Sequence, residues 1–374
     1  MRRFAAVILT IIVLAAAVPA WAATASLKLS SKADLAKSRR WLVLGNAGWV
    51  SVAGGQLDFL SPKGQRQRRL NLRGNEYLFG EFGSRYVGVI AFADRQPKTL
   101  SAVTFDLFDA AGTQKVRLNK PPFASVIVSP EGNAFVGVDG AEGLPKTTLR
   151  FYSADGKLHE AMDVARFEGG EFTRDGSHVF FKSADSGLQV CTARGDQVGT
   201  YGRADRWAAS RDGSVVVLQR GDRLMFYHDG KLIQTLTWDA SQGTVRGLAL
   251  SPNGLHAAAI SERHAAVIDV SSATILWETD TGDPLWNLRS VDLINDARLV
   301  ALGLDYDPGP PAADRHTQSR CLLFDRTGQL LDTQSETPTK WGAVFPMVKF
   351  ADTGGSLLFI NRDNFRAFQI DLDQ

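Results

Sequence analysis

The chain has 374 residues, of which 44% are hydrophobic and 22% are charged, with a formal net charge of +2. A chain of this length can bury a large core, and its near-neutral charge argues against nucleic acid or an anionic membrane as the main partner. Only two cysteines are present, so at most one disulfide could form and burial must hold the fold.

The first residues have the three parts of a secretory signal. Arg2 and Arg3 precede an apolar run at residues 4–18, and Ala20 and Ala22 provide a small-x-small cleavage site. We therefore predict a signal peptide at residues 1–22, cleaved after Ala22, and a mature domain at residues 23–374 in the periplasm or secreted from the cell. The alternative is an uncleaved anchor, because the apolar segment almost reaches the length of a membrane-spanning helix.

Cleavage would remove two arginines and leave 40 basic against 40 acidic residues. We expect a monomeric mature protein that does not stay inserted in the membrane and does not bind nucleic acid.

The mature sequence repeats an apolar strand that ends in a tight turn, usually with glycine. The copies lie at residues 57–64, 105–112, 149–156, 188–195, 224–230, 266–273 and 322–328. The turns from Gly64 to Gly328 have a mean spacing of 44 residues, so the mature chain corresponds to eight repeats. Repeats of this length indicate a ring or stack of similar units.

A second turn motif is interleaved with the first, at residues 129–132, 173–176, 210–213 and 251–254. Asp-Gly and Asn-Gly pairs favour the positive φ angles of tight hairpins, so each motif marks a strand reversal. Together the two turns predict four strands per repeat. In the sixth copy, for example, we expect strands at residues 245–250, 255–261, 264–270 and 274–279.

Four-stranded units of this length predict an all-β fold, a single eight-bladed β-propeller. The last copy supplies only three strands, at residues 344–350, 356–361 and 365–372. The alternating segment 25–30 could complete it and remove a free sheet edge. Seven blades is the alternative, because the first copy is degenerate at residues 41–49.

The Ser-Pro-Asn-Gly turn at residues 251–254 looks like the turns of bacterial WD-repeat-like propellers, including the Tol-system kind. Residues 266–270 and the following Trp277 resemble a quinoprotein-type repeat, in which Trp277 would pack between blades. The resemblance extends along the mature chain only as a pattern of strands and turns. Because no other copy repeats Trp277, it does not support a redox cofactor, and we expect no cofactor.

The long connections all fall on one face of the predicted disc, at residues 93–101, 139–146, 238–244, 279–286, 305–319 and 336–341. Loops on a rigid scaffold often carry function, so we expect binding on this face. Tolerated drift in loop length is the alternative.

Aromatic residues recur near the starts of the innermost strands, among them Trp41, Trp207, Trp286 and Trp341. Together with the cationic residues next to several of them, they could form a mildly basic mouth of the central channel for an anionic or aromatic ligand. Packing between blades is the simpler interpretation.

The loop at residues 305–316 differs from the repeats. Asp305, Asp307 and Asp314 are oxygen ligands that could suit calcium, but Gly309 and His316 do not fit an EF-hand pattern. A proline-rich surface loop is the simpler interpretation, so we predict no metal site.

No familiar catalytic motif occurs, and the histidines are scattered. Cys191 and Cys321 fall in equivalent strands three blades apart, so we predict free, half-buried thiols.

Our leading hypothesis is a non-enzymatic scaffold that binds another protein of the cell envelope. The alternative is a propeller enzyme, either a lactonase-like hydrolase with a channel metal or a quinoprotein-like oxidoreductase. Such an enzyme would need converging acidic or similar side chains at a repeated inner-strand position, and no such set is evident in the sequence.

Overall fold

A computed structural model describes most of the chain after the first segment. The described residues are 25–34, 40–43, 48–53, 55–61, 65–72, 76–80, 84–93, 102–140, 144–307, 318–336, 346–350, 355–361 and 364–372. The predicted signal peptide and its cleavage site lie outside them. Among the described residues, no helix is long and apolar enough to span a membrane.

The described strands form eight four-stranded antiparallel sheets, which are the blades of one β-propeller. The chain begins with β1 (Ala25–Asp34), which belongs to the last blade. Blades 1 to 4, each from inner to outer strand, are β2 (Arg40–Val43), β3 (Trp49–Ala53), β4 (Gln56–Leu60), β5 (Arg66–Asn71); β6 (Glu76–Phe79), β7 (Tyr86–Phe92), β8 (Ala102–Asp109), β9 (Gln114–Asn119); β10 (Ser125–Val128), β11 (Ala134–Asp139), β12 (Thr147–Ser153), β13 (Leu158–Val164); and β14 (Phe167–Phe172), β15 (His178–Ser183), β16 (Gly187–Thr192), β17 (Gln197–Gly202).

Blades 5 to 8 continue the pattern, and eight blades are confirmed in place of seven. Their strands are β18 (Arg206–Ala209), β19 (Val215–Arg220), β20 (Arg223–His228), β21 (Lys231–Thr237); β22 (Gly247–Leu250), β23 (His256–Ile260), β24 (His264–Asp269), β25 (Thr274–Asp280); β26 (Trp286–Leu293), β27 (Leu299–Tyr306), β28 (Ser319–Asp325), β29 (Leu330–Glu336); and β30 (Met347–Phe350), β31 (Ser356–Asn361), β32 (Asn364–Leu372), followed by β1.

Burial falls from the middle strands of a blade to its outer strand. In blade 5, the first five residues of β19 are buried, whereas β21 is almost entirely exposed. A middle strand faces a neighbouring blade on each side, so both of its faces need apolar residues. This explains why the second strands read as continuous apolar runs rather than alternating patterns.

The N-terminal strand closes the ring, as predicted. β1 pairs antiparallel with β32, with Leu29 opposite Phe368. Leu27 is buried in the core between blades 7 and 8, and its amide donates a 2.7 Å hydrogen bond to Asp332 of β29. The strand extends to Asp34, four residues further than the sequence pattern indicated.

The repeated glycines lie where one blade packs on the blade before it. A Cβ on Gly132 of blade 3 would overlap the ring of Tyr86 in blade 2, and one on Gly328 would lie 3.0 Å from the Trp277 ring. Both glycines have positive φ, of 66° and 83°. Thus Trp277 packs between blades, and the glycines provide both the turn and the room for the contact.

Both cysteines are free, as predicted, but their side chains are completely buried, so the expectation of half-buried thiols is wrong. Each cysteine packs in the core between its own blade and a neighbouring one, Cys191 between blades 3 and 4 and Cys321 between blades 7 and 8.

Candidate binding face

The meander gives the disc two different faces. The short-turn face carries the turns from first to second and from third to fourth strand. The long-loop face carries the turns from second to third strand and the linkers between blades. Both definitions follow from the strand order in the sheets.

Hydrogen bonds join neighbouring turns on the short-turn face. The amides of Arg85, Asp175 and Arg211 donate to the carbonyls of Pro130, Arg211 and Pro252 at 3.0, 3.1 and 2.9 Å. Each bond links one blade to the next. Backbone hydrogen bonds between turns therefore help to join neighbouring blades on this face.

On the long-loop face, the linker from blade 5 to blade 6 is fixed by its tryptophan. Trp238 is 3% exposed, its amide donates to Asp222 at 2.7 Å, and its Nε1 donates to Gly243 at 2.8 Å. A short 3-10 helix (Ala240–Gln242) follows, capped by the Asp239 carboxylate, which accepts from the Ser241 amide at 2.8 Å. The linker is therefore a rigid ridge.

Two clefts flank this ridge. One, of about 480 Å³, lies towards blade 5 and is lined by Asp205, Arg206 and Asp222. The other, of about 530 Å³, lies towards blade 7 and is lined by Glu262, Arg263, His264, Asp280 and Asp283. Three linkers and two second-to-third turns build the clefts, so both open on the long-loop face.

The clefts together contain more acidic than basic side chains. Arg206 donates a 3.3 Å hydrogen bond to the Val245 carbonyl. Glu262 pairs with Arg246 at 3.2 Å, and the side chains of Glu262 and Arg246 are about half exposed. His264 is 3.2 Å from Glu278. Basic segments of a partner would therefore be favoured here over acidic ones.

Trp286, a candidate for the channel mouth, is buried in the core between blades 6 and 7. It is 4% exposed, its ring centroid is 5.3 Å from that of Tyr306, and the Arg320 guanidinium carbon is 4.0 Å from its ring. Its position matches the packing interpretation of the aromatic series.

Asp305 lies at the end of β27 and is 5% exposed. Its carboxylate accepts a 2.8 Å hydrogen bond from Arg289, which occupies it as an ion-pair partner. Burial raises the pKa of Asp305, and the bond to Arg289 opposes that shift. The amide of Asp307 donates to Leu285 at 2.7 Å, so the base of this loop adjoins the blade 6 to blade 7 linker.

The remaining candidate positions can be placed only in part. Trp41 lies in β2, but its side chain, like Asp314, His316 and Trp341, lies outside the described residues. Among the described residues, no three His, Cys, Asp or Glu side chains are grouped so that they could hold a metal ion.

The sequence analysis missed a polar group in the central channel. Glu171, Asp292 and Lys349 lie two residues before the first turn in blades 4, 7 and 8, and all line one cavity of about 240 Å³. The expectation that no acidic side chains converge at a repeated inner-strand position is therefore wrong. Aligning the inner strands on their turns would have revealed these residues.

One ion pair crosses the channel. Arg174, from the first turn of blade 4, pairs at 2.8 Å with Asp292 of blade 7, and the other Asp292 oxygen accepts from the Phe350 amide at 2.8 Å. Trp207, another predicted site residue, also lines the cavity. Its ring packs on the core between blades 4 and 5.

No family model matches the chain, and no curated protein matches it. Solved structures with a similar fold are numerous. The chain is similar in fold to BamB from Moraxella catarrhalis. The TM-score is 0.53 and the identity 10%, and the match covers 92% of this chain and all of that one. At this identity the likeness supports the propeller fold alone.

Proposed function

We propose that this protein is a non-enzymatic scaffold of the cell envelope that binds a polypeptide segment of another protein on its long-loop face. The two clefts beside the Trp238 ridge are the observation that carries the proposal. They offer concave surface on a preformed support, so binding would cost little ordering of the scaffold.

The acidic lining suggests the chemistry of the partner. A segment carrying Lys or Arg would place its cations near Asp205, Asp222, Asp280 and Asp283 as it crosses the ridge. A segment that crosses the ridge in an extended conformation would fill a cleft on each side.

Location in the envelope rests on the N-terminal sequence and on the resemblance to Tol-type propellers. If the protein is exported in this way, its mature form should begin at Ala23. Mass spectrometry of the intact protein from a periplasmic or culture fraction would measure the corresponding mass. A protein that keeps residues 1–22 in the membrane would support the anchor instead.

Photocrosslinking in the native cells tests the choice of face. A photoreactive residue at Ser241 or Leu285, on the long-loop face, should capture one and the same partner. Matched probes at the exposed Arg194 and Arg326, on the short-turn face, should not. Changing Asp280 and Asp283 together to Lys should abolish capture from Ser241 while circular dichroism shows that the variant is folded. Capture from Arg194 or Arg326 alone would overturn the proposal.

A further inference from the structure

The channel cavity contains polar groups that the fold itself does not use. Glu171 makes no ion pair among the described residues, and neither does Lys349. The buried Nε1 of Trp207 has no hydrogen-bond partner of normal geometry. An unpaired buried donor costs free energy, so a group left in this state within a cavity indicates a ligand.

These three groups surround the same space. Burial raises the pKa of Glu171, while the charge of Lys349 and the N–H of Trp207 act in the opposite direction, so all three lie close together. The Glu171 side chain is nevertheless accessible to water. A carboxylate, an ammonium and an indole N–H thus line one pocket, and the indole N–H lies near the Glu171 carboxylate without a hydrogen bond of normal geometry.

The pocket exists because two blades carry small residues at this level. Ala208 and Ala249 occupy in blades 5 and 6 the position that Glu171, Asp292 and Lys349 occupy in blades 4, 7 and 8. The Arg174–Asp292 pair crosses the channel from the short-turn face. A ligand would therefore enter from the long-loop end.

We propose that this cavity binds a small zwitterion, a free amino acid or a dipeptide, with its ammonium on Glu171 and its carboxylate on Lys349 and Trp207. The cavity of about 240 Å³ limits the ligand to this size. Arg174 and Asp292 neutralise each other, so they leave this complementary pair as the main charges that a ligand meets. The site is separate from the clefts on the long-loop face.

The test is isothermal titration calorimetry of the mature protein with the twenty free amino acids and with Ala-Ala. At least one zwitterion should bind with a Kd below about 1 mM, and N-acetyl-Ala-Ala-amide should not bind, since it lacks both charges. Lys349→Met and Glu171→Gln should each weaken binding at least ~10-fold, because each removes a charged hydrogen bond. Trp207→Phe should weaken it by about 3-fold to 10-fold.

Lys157→Met is the matched control, because Lys157 is exposed on a turn of blade 3 far from the channel. Its affinity should equal that of the unchanged protein, and circular dichroism should show that every variant is folded. The proposal is wrong if no zwitterion binds, if the blocked dipeptide binds equally well, or if the channel variants bind like Lys157→Met. None of these results would affect crosslinking from Ser241, so the site and the scaffold proposal fail separately.

Discussion

The two faces of the disc carry different connections and use them for different purposes. On the short-turn face, glycines pack against the preceding blade and backbone groups of adjacent turns bond to each other. On the long-loop face, the linkers bond within their own blade or to one neighbour and leave clefts between them. The difference indicates that one face maintains the ring, so the other is free to change its loops.

The largest expected difference concerns access to the core. Cys191 and Cys321 are completely buried, and burial raises the pKa of the Cys191 thiol to about 11 and that of Cys321 also. A cysteine introduced on the ridge, Ser241→Cys, should react with iodoacetamide at pH 8 at least ~10³ times faster than either, because buried thiols react only after opening. Mass spectrometry of timed samples measures the rates. Rapid labelling of Cys191 would show that the blades open readily.

Two glycines, one on each face, have the same backbone conformation and differ only in how closely their neighbours pack. Gly132 has a φ of 66° and would place a Cβ inside the Tyr86 ring, whereas Gly282 has a φ of 67° and only the Asp280 carboxylate nearby, at 3.9 Å. We expect Gly132→Ala to lower the free energy of unfolding by about 3 kcal/mol and Gly282→Ala by about 1 kcal/mol. Urea titration measures both, and equal losses would remove the steric argument.

Two ion pairs make a similar contrast. Arg174→Ala would leave the buried Asp292 with only its bond from Phe350 and should cost about 2 kcal/mol. Arg246→Ala breaks the exposed pair with Glu262 on the long-loop face and should cost less than about 0.5 kcal/mol. Thermal unfolding of the two variants provides the comparison. If Arg246→Ala lowers the stability more than Arg174→Ala does, the Arg174–Asp292 pair does not stabilise the ring.

The smallest expected effect is a dependence on pH at Glu171. Because burial raises its pKa, the folded protein binds this proton more readily than the unfolded chain. Its contribution to stability is therefore full below the unfolded pKa and is lost as pH rises through the folded pKa.

Glu171→Gln should gain stability relative to the unchanged protein between about pH 4 and pH 7. Lys349→Met should enlarge the loss of stability with rising pH relative to the unchanged protein, since the charge of Lys349 opposes the rise in the pKa of Glu171. Urea unfolding at several pH values gives these slopes. A difference that stays constant across this range would contradict the prediction.

The sequence by itself determined the blades. The spacing of the glycine turns predicted four strands per repeat and eight repeats, and the alternation at residues 25–30 predicted the closing strand. These features are local or periodic, so they can be read without knowing what lies across the ring. The strand order agrees with the expectation that these long connections join second to third strands or one blade to the next.

Only the tertiary structure decided what meets in the channel and between the blades. Glu171 and Lys349 are 178 positions apart in the chain, and each looks like an ordinary strand residue until closure of the ring brings them to one cavity. Trp286 illustrates the opposite outcome, since neighbouring blades bury it. Side chains from distant repeats acquire their environment only when the blades pack around a common axis, and no local pattern encodes that contact.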